Sequence, residues 1–203
     1  MTQTQRKQQD RREATQRLLL ISAKRLFGKY GYDATSLEDI ARDCDLTTGP
    51  VYHYFENKKG LFAAVHDAEL ARTVELYSRV MGDDLKNHLQ LQLQATLDVF
   101  RDPEVFRILM IDGPHVLGQD HWTQERFMKQ MEISLQGEKN FDNPTMTWFR
   151  ILHAAVREAI VMVANSSNAA QTRHQVVEIL NPILAVVAEQ LEAASAQKHR
   201  EMH

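Results

Sequence analysis

Thr47, Thr48, Gly49 and Pro50 stand in a row, and behind them come Tyr52, His53, Tyr54 and, past Glu56 and Asn57, Lys58. The groups they offer are hydroxyls, an imidazole, phenols and an ammonium, which serve for hydrogen bonding and for pairing with an anion. The sequence has no Ser or Cys nucleophile elbow, no His-Glu-x-x-His and no Glu-x-x-His repeated on two helices. The available chemistry is contact with a polar, oxygen-rich partner. Gly49 strips a side chain from the leading edge, which permits close backbone approach to such a surface.

The elements that must position these groups are two short helices. Ser36 is a good N-cap, and Asp39, three residues on, can answer it in a capping-box exchange. Leu37, Ile40 and Ala41 then mark a buried face at helical spacing. Thr47 supplies a second N-cap, so the next helix is expected from Thr48 to about Phe55. Counted from that cap Pro50 is the third helical residue, where its missing N–H has no intrahelical partner to lose. Val51 and Phe55, four apart, face inward and leave Thr48, Pro50, His53 and Tyr54 pointing elsewhere. A helix, a tight three-residue turn and a second helix with a small polar start form the layout that places one helix end in the major groove of DNA. On this reading Thr47, Thr48, Gly49 and Pro50 lie near bases with His53 beside them, while Ser36, Tyr52 and Lys58 hold phosphates. A plain helical hairpin in an ordinary helical protein is the alternative.

The stretch from about Arg11 to Phe62 resembles the DNA-binding domain of the tetracycline-repressor (TetR/AcrR) family of transcriptional regulators. The matching residues are Ala23, Phe27, Gly31 and Tyr32, then Ala34-Thr35-Ser36, Ile40-Ala41, Thr47, Gly49, Val51-Tyr52-His53-Tyr54-Phe55, Lys58 and Leu61-Phe62. Where the family typically has Gly in the turn this chain has Asp45, a residue that tolerates a left-handed conformation better than most. Cys44 stands in place of Ala, and Pro50 in place of Ser, Thr or Ala.

Composition fits an ordinary globular protein: 203 residues, 43% hydrophobic and 25% charged. The net charge of −3 argues against a general nucleic-acid binder, but its distribution does not. Residues 1–30 carry eight Lys or Arg against two Asp or Glu, a net +6, and the remainder carry 16 against 25, a net −9. A basic leading arm and first helix can neutralise phosphates while an acidic body stays clear of them. The single cysteine, Cys44, excludes an intramolecular disulfide framework and reads as a packing residue at a small, buried turn position. The N-terminus has no apolar leader, and the longest strongly apolar run, near Ile183–Ala188, is too short to span a bilayer. The expectation is a cytoplasmic protein with no membrane partner.

The pattern is helical throughout, so the fold expected is all-α with nine or so helices. Residues 1–9 are expected as a disordered basic arm and 10–62 as the DNA-binding domain, with its helix-turn-helix at 36–55. Residues 63–203 are expected as the effector-binding and dimerisation domain. The first helix covers Asp10–Tyr30. A long fourth helix, capped by Asn57, reaches about Met81 and joins the two domains as one rigid rod. Further helices are expected at about 85–100, at Glu104–Ile111 before a break at Asp112-Gly113-Pro114, at Asp120–Glu138, at about 144–164, and at about 169–198. Pro182 should kink or restart the last of these.

The last two helices are unusually apolar. Leu152, Ala155, Val156 and Ala159 form one stripe, and Val176, Ile179, Leu180, Ile183 and Val187 another. The resemblance implies that these helices pair with their copies as a four-helix bundle. Two reading helices would then stand about 34–36 Å apart on successive major grooves. It also implies a small-molecule site among the middle helices. The candidate lining is Phe100, Phe106, Met110, Trp122, Phe127, Met131 and Trp148, with Asp112 and His115 as the polar groups that orient a ligand. Aromatic and Met residues at helical spacing also suit a plain core. The function implied is a repressor released from operator DNA when a small, mostly apolar ligand binds the C-terminal domain, with no cofactor, metal or catalytic residue. Two other classes compete: an all-helical enzyme built on some of the nine histidines, and a helical adaptor that binds only proteins. His66 and Glu69, three apart, read as a surface ion pair.

Overall fold

The computed structural model describes residues 3–118 and 143–201. By its internal contacts the chain forms two compact units, Met1–Arg72 with the segment from Asp102 onward, and Thr73–Arg101 with the C-terminal helices. No strand occurs among the described residues.

In the first unit α1 spans Gln3–Tyr30, α2 Leu37–Asp43, α3 Gly49–Phe55 and α4 begins at Lys58. Leu19, Ala23, Leu26 and Phe27 line the inner side of α1 and meet Leu37, Ile40 and Ala41 of α2, Val51 and Phe55 of α3, and Leu61, Phe62 and Val65 of α4 in one buried core. Phe27, Tyr32 and Phe62 pack edge to face and stacked, with ring centroids 5.1–5.8 Å apart. Gly31 closes α1 with φ +88°, a conformation that favours glycine, and its N–H reaches Phe27 O at 2.8 Å. Residues 3–9, expected as a disordered arm, instead continue α1 as helix, because Gln, Arg and Lys are good helix formers and no breaker precedes Asp10.

The segment after Asp102 belongs to this same unit, so the unit is wider than the boundary expected at residue 62. Pro103–Phe106 forms α6, and Arg107–Asp112 widens into a π-helical turn that passes directly into α7, Gly113–Leu117. The break expected at Asp112-Gly113-Pro114 does not occur. Pro114 follows the π turn, whose wider winding (Gly113 N–H to Ile108 O) accommodates a residue without an N–H inside a continuous helical run. Glycines set the close contacts: a Cβ at Gly28 would come 2.5 Å from Glu104 Cβ, and one at Gly113 would come 2.9 Å from the His66 ring.

The second unit contains the end of α4, which stops at Ser78 rather than near Met81, α5 (Leu85–Val99), α8 (Asn143–Ala164) and α9 (Ala169–Glu201). Asp84 caps α5 by accepting the Asn87 N–H at 2.7 Å. α9 packs against both α5 and α8. Leu89, Leu93 and Leu97 from α5, Leu152, Ala159, Ile160 and Val163 from α8, and Val176, Leu180, Leu184, Val187 and Leu191 from α9 make the core. Arg173 of α9 reaches Asp98 at 2.9 Å. Pro182 lies within α9, which continues as one helix through it rather than restarting.

Candidate nucleic-acid interface

Ser36 caps α2 as its sequence suggests. Its Oγ accepts the Asp39 N–H at 3.1 Å, and the Asp39 carboxylate accepts the Ser36 N–H at 3.3 Å and the hydroxyl proton. These bonds, with Arg42 beside them, hold the Asp39 carboxyl below the usual range. The geometry therefore commits both faces of the Ser36 hydroxyl to the cap, leaving it little to offer a phosphate. The turn that follows runs through Asp45 at φ +54°, the left-handed conformation expected where Gly would be easiest. Asp43, at the end of α2, accepts from Ser22 and pairs with Arg25, which fixes the turn against the middle of α1 and lowers the Asp43 pKa. Cys44 is half-buried rather than buried. Its thiol faces the Leu18 carbonyl at 3.6 Å, and burial raises its pKa.

α3 begins one residue later than expected, at Gly49, with Thr48 as its cap residue in αR geometry and no side-chain capping bond. Pro50 is then the second helical position, which still needs no donor. The shift matters chemically, because neither the Thr47 nor the Thr48 hydroxyl is used to cap α3. Thr47, Gly49, Tyr52 and His53 are exposed, Thr48, Pro50 and Tyr54 half-buried, and Val51 and Phe55 buried as anticipated. A methyl at Gly49 would touch only Thr47 Oγ1 at 3.7 Å, an ordinary contact, so nothing inside the protein requires glycine there. His53 packs edge-on against Tyr54, centroids 5.0 Å apart. The α3 tip is thus a polar, side-chain-poor point backed by a rigid apolar floor.

Behind α3 the chain turns at Glu56, φ +65°, a conformation for which the sequence carried no signal. Asn57 Oδ1 accepts the Gly60 N–H at 2.9 Å, the cap expected for α4. Lys58 is half-buried, with its ammonium 4.2 Å from the centre of the Tyr32 ring and 3.4 Å from Asp33 O. This fixes the position of the charge and leaves donors for a further oxygen.

His66 and Glu69 are not a surface pair. His66 is 0% exposed and packed on Phe62 and Gly113, and buried Glu69 holds Lys24 at 2.7 Å. Helical spacing alone could not tell the outer side of α4 from the inner one.

The residues expected to line a ligand site are divided. Phe106, Met110, Asp112 and His115 belong to the first unit, Phe100 and Trp148 to the second. Trp122, Phe127 and Met131, with the helix expected at 120–138, lie outside the described residues. Asp112 Oδ2 accepts the Tyr32 N–H at 2.9 Å, and burial raises its pKa. His115 is exposed, 4.0 Å from Asp33. Among the described residues no group of three or more His, Cys, Asp or Glu could hold a metal ion, and no helix is long and apolar enough to cross a membrane.

The nine residues expected to pair two copies also divide. Leu152, Ala159, Val176, Leu180 and Val187 lie in the second unit's own core, so they have no surface to give a partner. Ala155 and Val156 are half-buried, and Ile179 and Ile183 are exposed. The outward apolar side comprises Ile151 and Met162 on α8 with Ile179, Ile183 and Val186 on α9, and Ile179 is 65% exposed. Spacings of 4 and 3 along α9 (179, 183, 186) could have isolated this set, but the buried set has the same period.

Comparison with known proteins agrees with this architecture along most of the chain. Residues 19–65 match the family described as bacterial regulatory proteins, tetR family, and 87–187 match the tetracyclin repressor-like C-terminal domain. The regulator AcrR of Shigella flexneri is 33% identical over 129 residues, covering 63% of this chain and 51% of that protein. TetC of transposon Tn10 from Escherichia coli is 38% identical over 63 residues, covering 31% of this chain and 32% of that one. The chain spans 28–58% of the length of these two and six further curated relatives. A crystal structure of a TetR-family transcriptional regulator from Pectobacterium atrosepticum shares 26% identity with a TM-score of 0.70, over 93% of this chain and 98% of that one. A TetR variant from Acinetobacter baumannii, solved with minocycline, shares the fold at 16% identity and a TM-score of 0.60, over 85% and 95% of the two chains. With both halves matched in order, the exposed α3 tip in the N-terminal one and the helical body in the other, this chain belongs to the TetR family of bacterial regulatory proteins.

Proposed function

We infer that this protein is a sequence-specific, DNA-binding transcriptional regulator that acts as a homodimer in the cytoplasm. In this reading it is a repressor that leaves its operator when a small, mostly apolar molecule binds the C-terminal domain. The observation that carries it is the α3 tip. Thr47, Thr48, Gly49 and Pro50 stand at the surface with two uncommitted hydroxyls and a glycine that the fold does not need. Thr47, Thr48, Gly49, Pro50 and His53 meet base edges, and Tyr52 and Lys58 meet phosphates, while Ser36 supports α2. Relatives named as repressors in Mycobacterium tuberculosis and Corynebacterium glutamicum support the sign of regulation. The minocycline complex of the Acinetobacter protein supports a small-molecule effector. α4 runs unbroken from Lys58 to Ser78 and so links the reading head to the body. The second copy covers the exposed Ile151, Met162, Ile179, Ile183 and Val186.

The test is retardation of duplexes by the purified chain over a range of salt. Binding should weaken steeply with salt. Lys58→Ala should weaken every sequence alike and flatten that dependence by about one phosphate's worth, whereas Thr48 substitutions should change which sequence is preferred. A Lys58→Ala protein with altered sequence choice, or a wild type that retards no duplex, would overturn the assignment. Ligand binding that survives both His115→Ala and Trp122→Ala unchanged would remove those residues from the effector site.

A further inference from the structure

Lys58 and Lys59 open α4, with no acid in its first turn. The helix dipole opposes a cation at that end, so whatever holds the Lys58 ammonium must come from outside α4. Two groups supply it, both from the loop after α1. The centre of the Tyr32 ring lies 4.2 Å from the ammonium, and Asp33 O lies 3.4 Å from it. Tyr32 is itself fixed from three sides. Its ring stacks on Phe27 with centroids 5.8 Å apart and packs edge to face with Phe62 at 5.1 Å. Its N–H donates to Asp112 Oδ2 at 2.9 Å, a bond between residues 80 apart in the chain. One loop residue thus connects the π-helical segment to the charge behind the reading helix.

We propose that Tyr32 is a positioning residue for DNA binding: its ring holds the Lys58 ammonium in place for a backbone phosphate, and Asp112 holds Tyr32. The inference rests on the phosphate role given to Lys58 above. A lysine free to sample its four-carbon stem gives up that freedom on meeting a phosphate, whereas a seated one has already given it up on folding. The kind of seat matters as well. A carboxylate would cancel the charge it holds, but the face of a ring attracts the cation and leaves its full unit of charge to meet an anion. The ring and Asp33 O occupy one side of the ammonium, and its remaining donors serve a phosphate oxygen. Such a contact adds affinity and salt dependence without sequence choice.

The experiment uses the full chain and a duplex that the wild type selects from a random pool, with affinity followed over a range of salt. Every variant is compared at a temperature where its melting curve shows it folded. Lys58→Ala should weaken binding and flatten the salt slope by about 0.9. Tyr32→Leu should weaken every sequence alike, by about three- to fivefold, while Tyr32→Phe, which keeps the ring, should bind as wild type does. Asp112→Ala should act in the same direction as Tyr32→Leu. In a Lys58→Ala background neither Tyr32→Leu nor Asp112→Ala should cost anything further. An undiminished further loss in that background would mean that Tyr32 serves only the core, and it overturns the proposal. So does a Tyr32→Leu or Asp112→Ala chain that binds like wild type. If Lys58→Ala alone still flattens the slope in those cases, the phosphate role of Lys58 stands without the proposal. A Lys58→Ala chain with wild-type affinity and slope overturns both, and a wild type that selects no duplex overturns the regulator reading itself.

Discussion

Gly49 and Asp45 are both turn-region residues, yet they are held by opposite demands. Asp45 sits at φ +54°, where the backbone itself asks for a residue tolerant of the left-handed region. Gly49 has ordinary helical surroundings, and a methyl there would meet only Thr47 Oγ1 at 3.7 Å, so nothing inside the protein demands glycine. Gly49→Ala should therefore leave the thermal midpoint within a degree or two of wild type, or raise it slightly, since Ala favours helix. It should nevertheless cost about tenfold in operator affinity, roughly 1.4 kcal/mol, because the methyl meets the groove floor. Melting curves and gel retardation on one preparation check both halves. The Ser36–Asp39 box, the buried Val51 and Phe55 and the left-handed Asp45 were all legible from the sequence, since each depends on neighbours within four residues. The seating of Lys58 on Tyr32 and the burial of His66 were not, because they depend on partners that distant segments supply.

At the level of elements, the segment 102–117 has the most to say. By sequence position it lies within the C-terminal family match, yet it packs into the N-terminal unit. Its π-helical turn delivers Asp112 to the Tyr32 N–H, just behind the loop that leads into the helix-turn-helix. Single π turns are rare and mostly occur as one-turn interruptions of α-helix, as between Phe106 and Gly113 here. Asp112→Ala should lower stability by about 1–2 kcal/mol, the cost of leaving that backbone donor unpartnered, and Asp112→Asn, which retains an acceptor, should recover most of it. Chemical denaturation of the three proteins gives the comparison. Equal stability of all three would mean that water replaces the carboxylate without loss.

For the whole molecule the question is which apolar face is inside. Ile179→Glu places a charge on the outward side and, in a symmetric pair, removes two buried isoleucines worth about 1.5–3 kcal/mol each. The proposed homodimer should dissociate at micromolar protein in sedimentation while each chain stays helical. Leu184→Ala, aimed into the second unit's own core, should instead lower folding stability by about 2–5 kcal/mol. Acid should also act on this unit. Burial, with Arg157 nearby, lowers the His153 pKa below 6.5, so the stability held above pH 6.5 is lost as the pH falls through that lowered value. Between pH 7.5 and 5, wild type should lose more stability than His153→Gln, measured by urea denaturation at each pH.

By itself the sequence determined the all-helical class, the two-helix reading head with its polar tip, the basic leading segment and the apolar character of the last two helices. Each of these is written in local spacing, capping chemistry or charge. Only the tertiary structure decided which apolar residues fill the core and which remain at the surface, that residues 102–117 join the N-terminal unit, and that α1 continues as helix through residues 3–9. The reason is physical. A stripe wide enough to face two neighbours has the same 3.6-residue period on both sides, and only a packed partner distinguishes them.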